Sequence, residues 1–309
     1  MKFAVTGGAG FVGSHLVGAL SNAGHSVIVI DNLETGKKEN IAKFIGKVEF
    51  VQGDIREYDL LKEKFSDVDG VFHEAALASV PDSFRIPDEY YDVNVNGTEN
   101  VFRLAKEYDF KVIYASSSSV YGNPVKIPIK EDHPKNPINP YAQTKLDDEK
   151  LAQKYSEMGT KIVGLRYFNI FGERQSKEYA GVIKKFLSNV YENKPPMING
   201  DGVQTRDFVY VGDVVQANIA AMKSNVNHEF FNVGTETTIS VLQLADLIIN
   251  AFGLSIKPIH GPELPGDVKI TKADISLARK LLGWEPKVDI KEWLRQVITT
   301  RTNLDLITD

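Results

Sequence analysis

Residues 2–22 read "KFAVTGGAGFVGSHLVGALSN", an apolar pentapeptide, a turn with glycines at 7, 10 and 13, and then an apolar period of helical spacing. A strand that turns through glycines straight into a helix is the first half of a βαβ unit. The alternation continues. "HSVIVI" (25–30), "KVEFV" (47–51), "GVFHEA" (70–75), "KVIYAS" (111–116) and "KIVGLRY" (161–167) are further apolar runs of strand length. Between them, "REYDLLKEKF", "DEYYDVNVNGTENVFRLAKEY" and "YAQTKLDDEKLAQKYSEMG" carry helical spacing. Apolar strands alternating with helices predict an α/β fold, a Rossmann-like doubly wound parallel sheet, with ligands at the carboxyl ends of its strands. After about residue 172 the pattern loosens into two helical segments, "AGVIKKFLSNVYEN" and "SVLQLADLIINAFG", among short strands and Pro/Gly turns. This predicts a first domain over 1–172 and a smaller C-terminal α/β lobe over 173–309 that closes over the sheet's carboxyl edge, with about 205–233 returning to the first domain.

Bulk properties narrow the classes. A chain of 309 residues, 42% hydrophobic and 25% charged, is ordinary for a soluble globular protein. A net charge of −5 argues against a nucleic-acid partner. The absence of cysteine excludes disulfides and thiolate chemistry. The amino terminus enters a strand at once and no apolar run reaches membrane length, so a cytoplasmic protein without a membrane partner is expected. The six histidines show no metal spacing, and no metal is expected. His73 reads as a satisfied core or turn histidine, and Trp284 as packing between lobes.

In the glycine turn, Gly7 would permit the bend, Gly10 the close approach of a pyrophosphate, and Gly13 tight packing of helix on strand. A plain strand–helix turn would use the same glycines. Asp31 bears on the choice, since it ends the second strand 18 residues after Gly13. A carboxylate there accepts hydrogen bonds from the ribose of NAD and repels the extra phosphate of NADP. Lys37 and Lys38, close by, leave NADP open.

The G-x-x-G-x-x-G spacing resembles the extended short-chain dehydrogenase/reductase family, and the resemblance spans essentially the whole chain. It implies NAD contacts from Phe11 and Val12, from Asn32, Leu33, Thr35 and Gly36, and from Asp54 and Ile55 in "GDI". It implies others from Ala75, Ala76 and Leu77 in "FHEAAL", from Phe168, and from Asn94 as a structural asparagine. In "NPYAQTK", Tyr141 and Lys145 are four apart at a helix start, on one face. Alone, the pair is a contact on an amphipathic helix. In this family it matches the active-site Tyr-x-x-x-Lys. Lys145 and a cationic nicotinamide would then favour phenolate, which takes a proton from a substrate hydroxyl, while Lys145 also holds the ribose. Ser117 in "ASSSSVYG" matches the catalytic serine; otherwise such a run satisfies backbone groups. Ser118 and Ser119 stand where sugar-nucleotide 4,6-dehydratases carry Asp-Glu, which argues against dehydration.

"LRYFNIFG", "INGDGVQTRDFVYVGDVVQAN" and "PGDVKITKADISLARKLLGWEPK" resemble the substrate lobe of nucleotide-sugar epimerases. This places Asn169 and Arg206 on a nucleotide diphosphate, the backbone near Val182 at uracil, and Asp267 and Ser118 among the substrate contacts. Arg206 beside Asp207 also has the reading of a simple ion pair. The family's second arginine is replaced here by Leu264, with Lys269 as a candidate substitute. "AALASVPDS" resembles the subgroup acting on UDP-N-acetylhexosamines, with Ser79 by the sugar and Thr271 at a gate that is bulky in enzymes restricted to UDP-glucose. The resemblance thus implies tightly bound NAD and 4-epimerisation of a UDP-N-acetylhexosamine through a 4-keto sugar, with UDP-glucose also accepted. Three alternatives stand beside it: a nucleotide-sugar dehydrogenase or reductase, a UDP-glucuronate epimerase, and a non-catalytic NAD-binding scaffold. The helices at 87–108 and 141–158 carry apolar stripes, read either as a homodimer interface or as intramolecular packing.

Overall fold

The computed structural model of the chain describes residues 1–175, 181–263 and 268–300. Seven strands form one sheet: β1 (Lys2–Thr6), β2 (Ser26–Asp31), β3 (Glu49–Gln52), β4 (Gly70–His73), β5 (Lys111–Ser117), β6 (Ile162–Tyr167) and, at the far edge, His228–Val233. The order is β3-β2-β1-β4-β5-β6 and then 228–233, every neighbour parallel. The expected doubly wound sheet is therefore present. Its order reverses between β1 and β4, where the connecting loops diverge and open a crevice at the carboxyl edge.

Both faces of the sheet are covered, which is why its central strands are largely apolar. From β1, Phe3 and Val5 pack with Leu16 and Val17 of α1 (Phe11–Asn22) and with Val214 and Ala217 of the helix Val211–Lys223. Ala4 points the other way, into a core shared with α2 (Tyr58–Phe65) and the two helices that follow β4 and β5. A third core, around Phe171, Phe186, Leu244 and Trp293, belongs to the C-terminal part. Trp284 is found in the first core, donating its indole N–H to the Asp213 carbonyl at 2.9 Å, and so packs beneath the sheet.

One sequence expectation is corrected and another refined. "GVFHEA" leaves the sheet after His73, so Glu74 and Ala75 lie in the turn beyond β4. The stretch 88–108 is helical without interruption, as expected, but not α-helical throughout. After α3 (Val80–Arg85) the chain forms α4 (Pro87–Tyr91), a widened π turn over Asp92–Asn96, and α5 (Gly97–Tyr108). Asn94 lies in the π turn. Its amide accepts from Leu77 N at 2.8 Å and donates to Leu77 O at 3.0 Å and Thr144 Oγ1 at 3.0 Å, clamping the β4 turn to the next helix.

Candidate active site

The site begins with a helix start. Asn139 accepts from Ala142 N at 2.8 Å and Pro140 occupies the first helical position, which launches α6 (Pro140–Glu157). Tyr141 and Lys145 follow one turn apart. Both line a crevice of about 1120 Å³ along the carboxyl edge of the sheet. That volume exceeds the few hundred to ~1,000 Å³ of a single drug-sized pocket, and suits two extended ligands.

At one end lies the glycine turn. Gly7 has φ +65°, and a Cβ there would stand 2.8 Å from Ala75 N. A Cβ on Gly13 would fall 2.1 Å from the Gly7 carbonyl oxygen, so the helix meets the turn only as glycine. The start of α1 has no side-chain cap, and Phe11, Val12 and Gly13 open onto the crevice. Unpartnered N–H groups at a helix start suit a pyrophosphate. Asp31 accepts from Ala9 N at 2.9 Å and Leu33 N at 2.8 Å, and burial pushes its carboxyl up. Each oxygen retains a lone pair for a sugar hydroxyl. Asp54, which accepts from Asn32 at 3.0 Å, is held down at about 2 by the Arg56 guanidinium. This donor set and glycine cradle fit a dinucleotide.

Ser117, opposite Tyr167 in the sheet register, lines the middle of the crevice. Its Oγ accepts from Ser119 N at 3.1 Å, which leaves its proton to donate. His73 is buried with both ring nitrogens partnered, by Thr6 Oγ1 at 2.7 Å and Thr98 Oγ1 at 2.8 Å, and burial lowers it to about 3. It stays neutral, as a satisfied core histidine would.

The C-terminal part supplies the opposite wall. Asn169, Val182 and Arg206 line it. Arg206 Nη1 donates to Thr205 O at 2.9 Å, whereas Asp207 takes Thr235 N and Oγ1 at 2.7 Å, Glu236 N at 3.1 Å and Ala273 N at 3.0 Å. The carboxylate of Asp207 is thus filled by other donors. Gly10, Asn32, Thr35, Asp54, Ile55, Ala75, Ala76, Leu77 and Phe168 also face the crevice.

Several expected residues do not. Leu33 and Gly36 lie in the loop behind Asp31, and Asn94 clamps from outside. Ser79 caps α3 through Asp82 N at 3.3 Å, Ser118 opens the 3-10 turn Ser118–Tyr121, and Thr271 accepts from Asp207 N at 3.1 Å and Asn169 Nδ2 at 3.3 Å. Asp267 and Leu264 lie outside the described residues. Lys269 does not line the crevice; Lys184 and Lys185, at the start of α7 (Val182–Tyr191), do.

Sequence reasoning also passed over Glu74. It lines the crevice, accepts from the Tyr167 hydroxyl at 2.9 Å, and burial raises it to about 8. Its signal was its place in "FHEAAL", directly after a buried strand.

A parallel sheet with a glycine turn at its switch point and a Tyr-x-x-x-Lys helix beside it defines a dinucleotide-dependent enzyme of the extended short-chain dehydrogenase/reductase class. The chain belongs to the NAD dependent epimerase/dehydratase family, whose pattern matches residues 3–234. It is 43% identical over 304 residues to a putative UDP-glucose 4-epimerase of Methanocaldococcus jannaschii, covering 97% of this chain and 98% of that one. Among solved structures it resembles a UDP-N-acetylglucosamine 4-epimerase from Methanobrevibacter ruminantium in complex with UDP-N-acetylmuramic acid, at 38% identity and TM-score 0.91 over 96% of this chain and 97% of that one. It likewise resembles a UDP-glucose 4-epimerase from Thermotoga maritima with UDP-glucose, at 36% identity and TM-score 0.93 over 98% of this chain and 100% of that one.

Proposed function

We propose that the chain interconverts the C4 epimers of a UDP-hexose, UDP-N-acetylglucosamine and UDP-N-acetylgalactosamine first, with UDP-glucose and UDP-galactose as further substrates. The observation that carries this reading is that Tyr141, Lys145 and Ser117 share one crevice with Asn169, Val182 and Arg206. The names of the relatives support the same reaction.

NAD would be held by the 7–13 turn, Asp31, Asp54 and Lys145, and when bound it supplies the hydride acceptor and, on return, the donor. Tyr141 takes the proton from the sugar's C4 hydroxyl and gives it back from the other side. Lys145 stabilises the charge this leaves on the phenol oxygen, and Ser117 shares the proton. Arg206 and Asn169 grip the diphosphate with charge-assisted bonds while the 4-keto sugar turns its opposite face to the same tyrosine. With Ser118 and Ser119 in place of an acid pair, nothing here drives loss of water. The same proposal divides the chain near residue 172 into a dinucleotide-holding and a substrate-holding part, and takes it to be a cytoplasmic homodimer. Among the described residues no helix is long and apolar enough to cross a membrane.

The test is to incubate purified protein with UDP-N-acetylglucosamine, without added NAD, and resolve the sugar nucleotides by NMR. A mixture of both epimers is expected. Stoichiometric NADH without epimer would make it a dehydrogenase and overturn the reading.

A further inference from the structure

Lys145 has a neighbour that the proton chemistry does not use. Asp148, on the same helix, is fully buried, and its Oδ2 accepts from Lys145 Nζ at 3.3 Å. The lysine is nearly as buried, its side chain 5% exposed. The other oxygen, Oδ1, is buried with no hydrogen-bond partner among the described residues. A half-satisfied carboxylate buried in a helix interface is destabilising compared with an apolar side chain of that size. Packing gives no reason for it. Its position against the lysine of the Tyr-x-x-x-Lys pair does.

We propose that Asp148 is a positioning residue that fixes the Lys145 ammonium and offsets part of its positive charge, setting how strongly Lys145 draws the Tyr141 hydroxyl toward the phenolate. The inference rests on the reading of Tyr141 as proton acceptor. A charge at this distance in a buried place acts far more strongly than one across solvent. The other groups that act on the pair are few. Asp147 and Glu149 flank Asp148 on α6, Tyr114 faces it from β5, and His73 from β4 and Glu74 from the turn beyond it face Lys145. Glu149 is engaged by Arg166 at 2.7 Å and Asp147 by Lys150 at 2.7 Å. His73 is neutral, and Glu74 holds its proton through neutrality. Asp148 is thus the carboxylate placed to vary: burial raises it to about 7 while the ammonium pulls it back.

Asp148→Asn keeps the volume and removes the charge; Asp148→Val is the second variant should the amide not fold. Two readouts separate this role from packing. One is an ultraviolet difference titration of the phenol, each protein minus its Tyr141→Phe counterpart. The other is the pH dependence of kcat. With the counter-charge gone, both the phenolate signal and the acid limb of kcat are expected to move to lower pH by about one unit. KM for the UDP-sugar is expected to stay within about twofold, since Asp148 does not line the crevice. Profiles that stay in place while the urea midpoint falls would reduce Asp148 to packing, and a shift to higher pH would reverse the assigned sign. Either overturns the inference. The titration needs no turnover. If Tyr141→Phe stays active, the proposed function falls while the titration still decides this point.

Discussion

At the end of β4, the same burial pushes His73 and Glu74 in opposite directions. Glu74 sits at about 8 against 4.5 in the unfolded chain, so the folded protein keeps a proton the unfolded one releases. Its contribution is whole below pH 4.5 and is lost as pH rises through 8, and Asp148, at about 7, behaves alike. His73 at about 3 and His15 at about 4 do the reverse: their contributions are whole above pH 6.5 and are lost as pH falls toward those values. Above pH 6.5 the histidines no longer oppose the acids, and stability should decline toward pH 8, where the buried Lys111, lowered to about 8, begins to act the other way. Glu74→Gln still accepts from Tyr167 and is expected to remove most of that decline, as urea midpoints of the two proteins would show. Tyr141→Phe should lower kcat about 10²–10⁴-fold with KM little changed, measured by epimer formation. At this scale the expectation that Tyr141, Lys145 and Asp31 face one crevice could be drawn from the sequence, because their chemistry and position coincide. Glu74 and Asp148 escaped because burial is a tertiary property. On a helix that also carries Asp147, Glu149 and Lys150, a further aspartate reads as surface charge.

Helix α6 is held against the sheet by a buried ion pair. Glu149 accepts from Arg166 Nε at 2.7 Å and Nη2 at 2.9 Å, and from Ser116 Oγ at 2.7 Å. Arg166 Nη1 continues to Tyr121 Oη at 2.7 Å, and Tyr121 donates to Asn232 Oδ1 at 2.7 Å. The chain of bonds joins α6, β5, β6 and the strand at 228–233 directly behind Ser117. Arg166→Met leaves Glu149 charged and unpaired, which should cost about 3–5 kcal/mol of stability by urea denaturation. Converting Glu149 to Met as well is expected to recover much of that loss, because an apolar pair replaces a desolvated one. Strands and α6 were legible from apolar runs, from the cap and from the proline. The π turn within 88–108 was not. In it Asn94 bonds Leu77, seventeen residues away, a contact that no local periodicity encodes.

Over the whole molecule, the sheet supplies the glycine turn, α6 supplies Tyr141, and the C-terminal part supplies Lys184, Lys185 and Arg206 across the crevice. Arg206→Ala should therefore raise KM for the UDP-sugar about 10- to 100-fold, the worth of a charged hydrogen bond, with a smaller effect on kcat, read from initial rates. The parallel sheet could be foreseen from alternation; the substitution of Lys184 and Lys185 for Lys269 at the wall could not, since it depends on which side of a loop each lysine lands. The polypeptide leaves the sheet after β6 and returns only at His228, which pairs with Ile162, 66 positions earlier (228 minus 162). A nascent chain that has cleared the ribosome only to residue 172 therefore holds six of the seven strands, with the flank of β6 bare. Such an open row of N–H and C=O groups recruits foreign strands. The flank of β6 is covered only once the residues beyond 227 have been made, so the sheet is completed by a strand drawn from the far side of the C-terminal excursion.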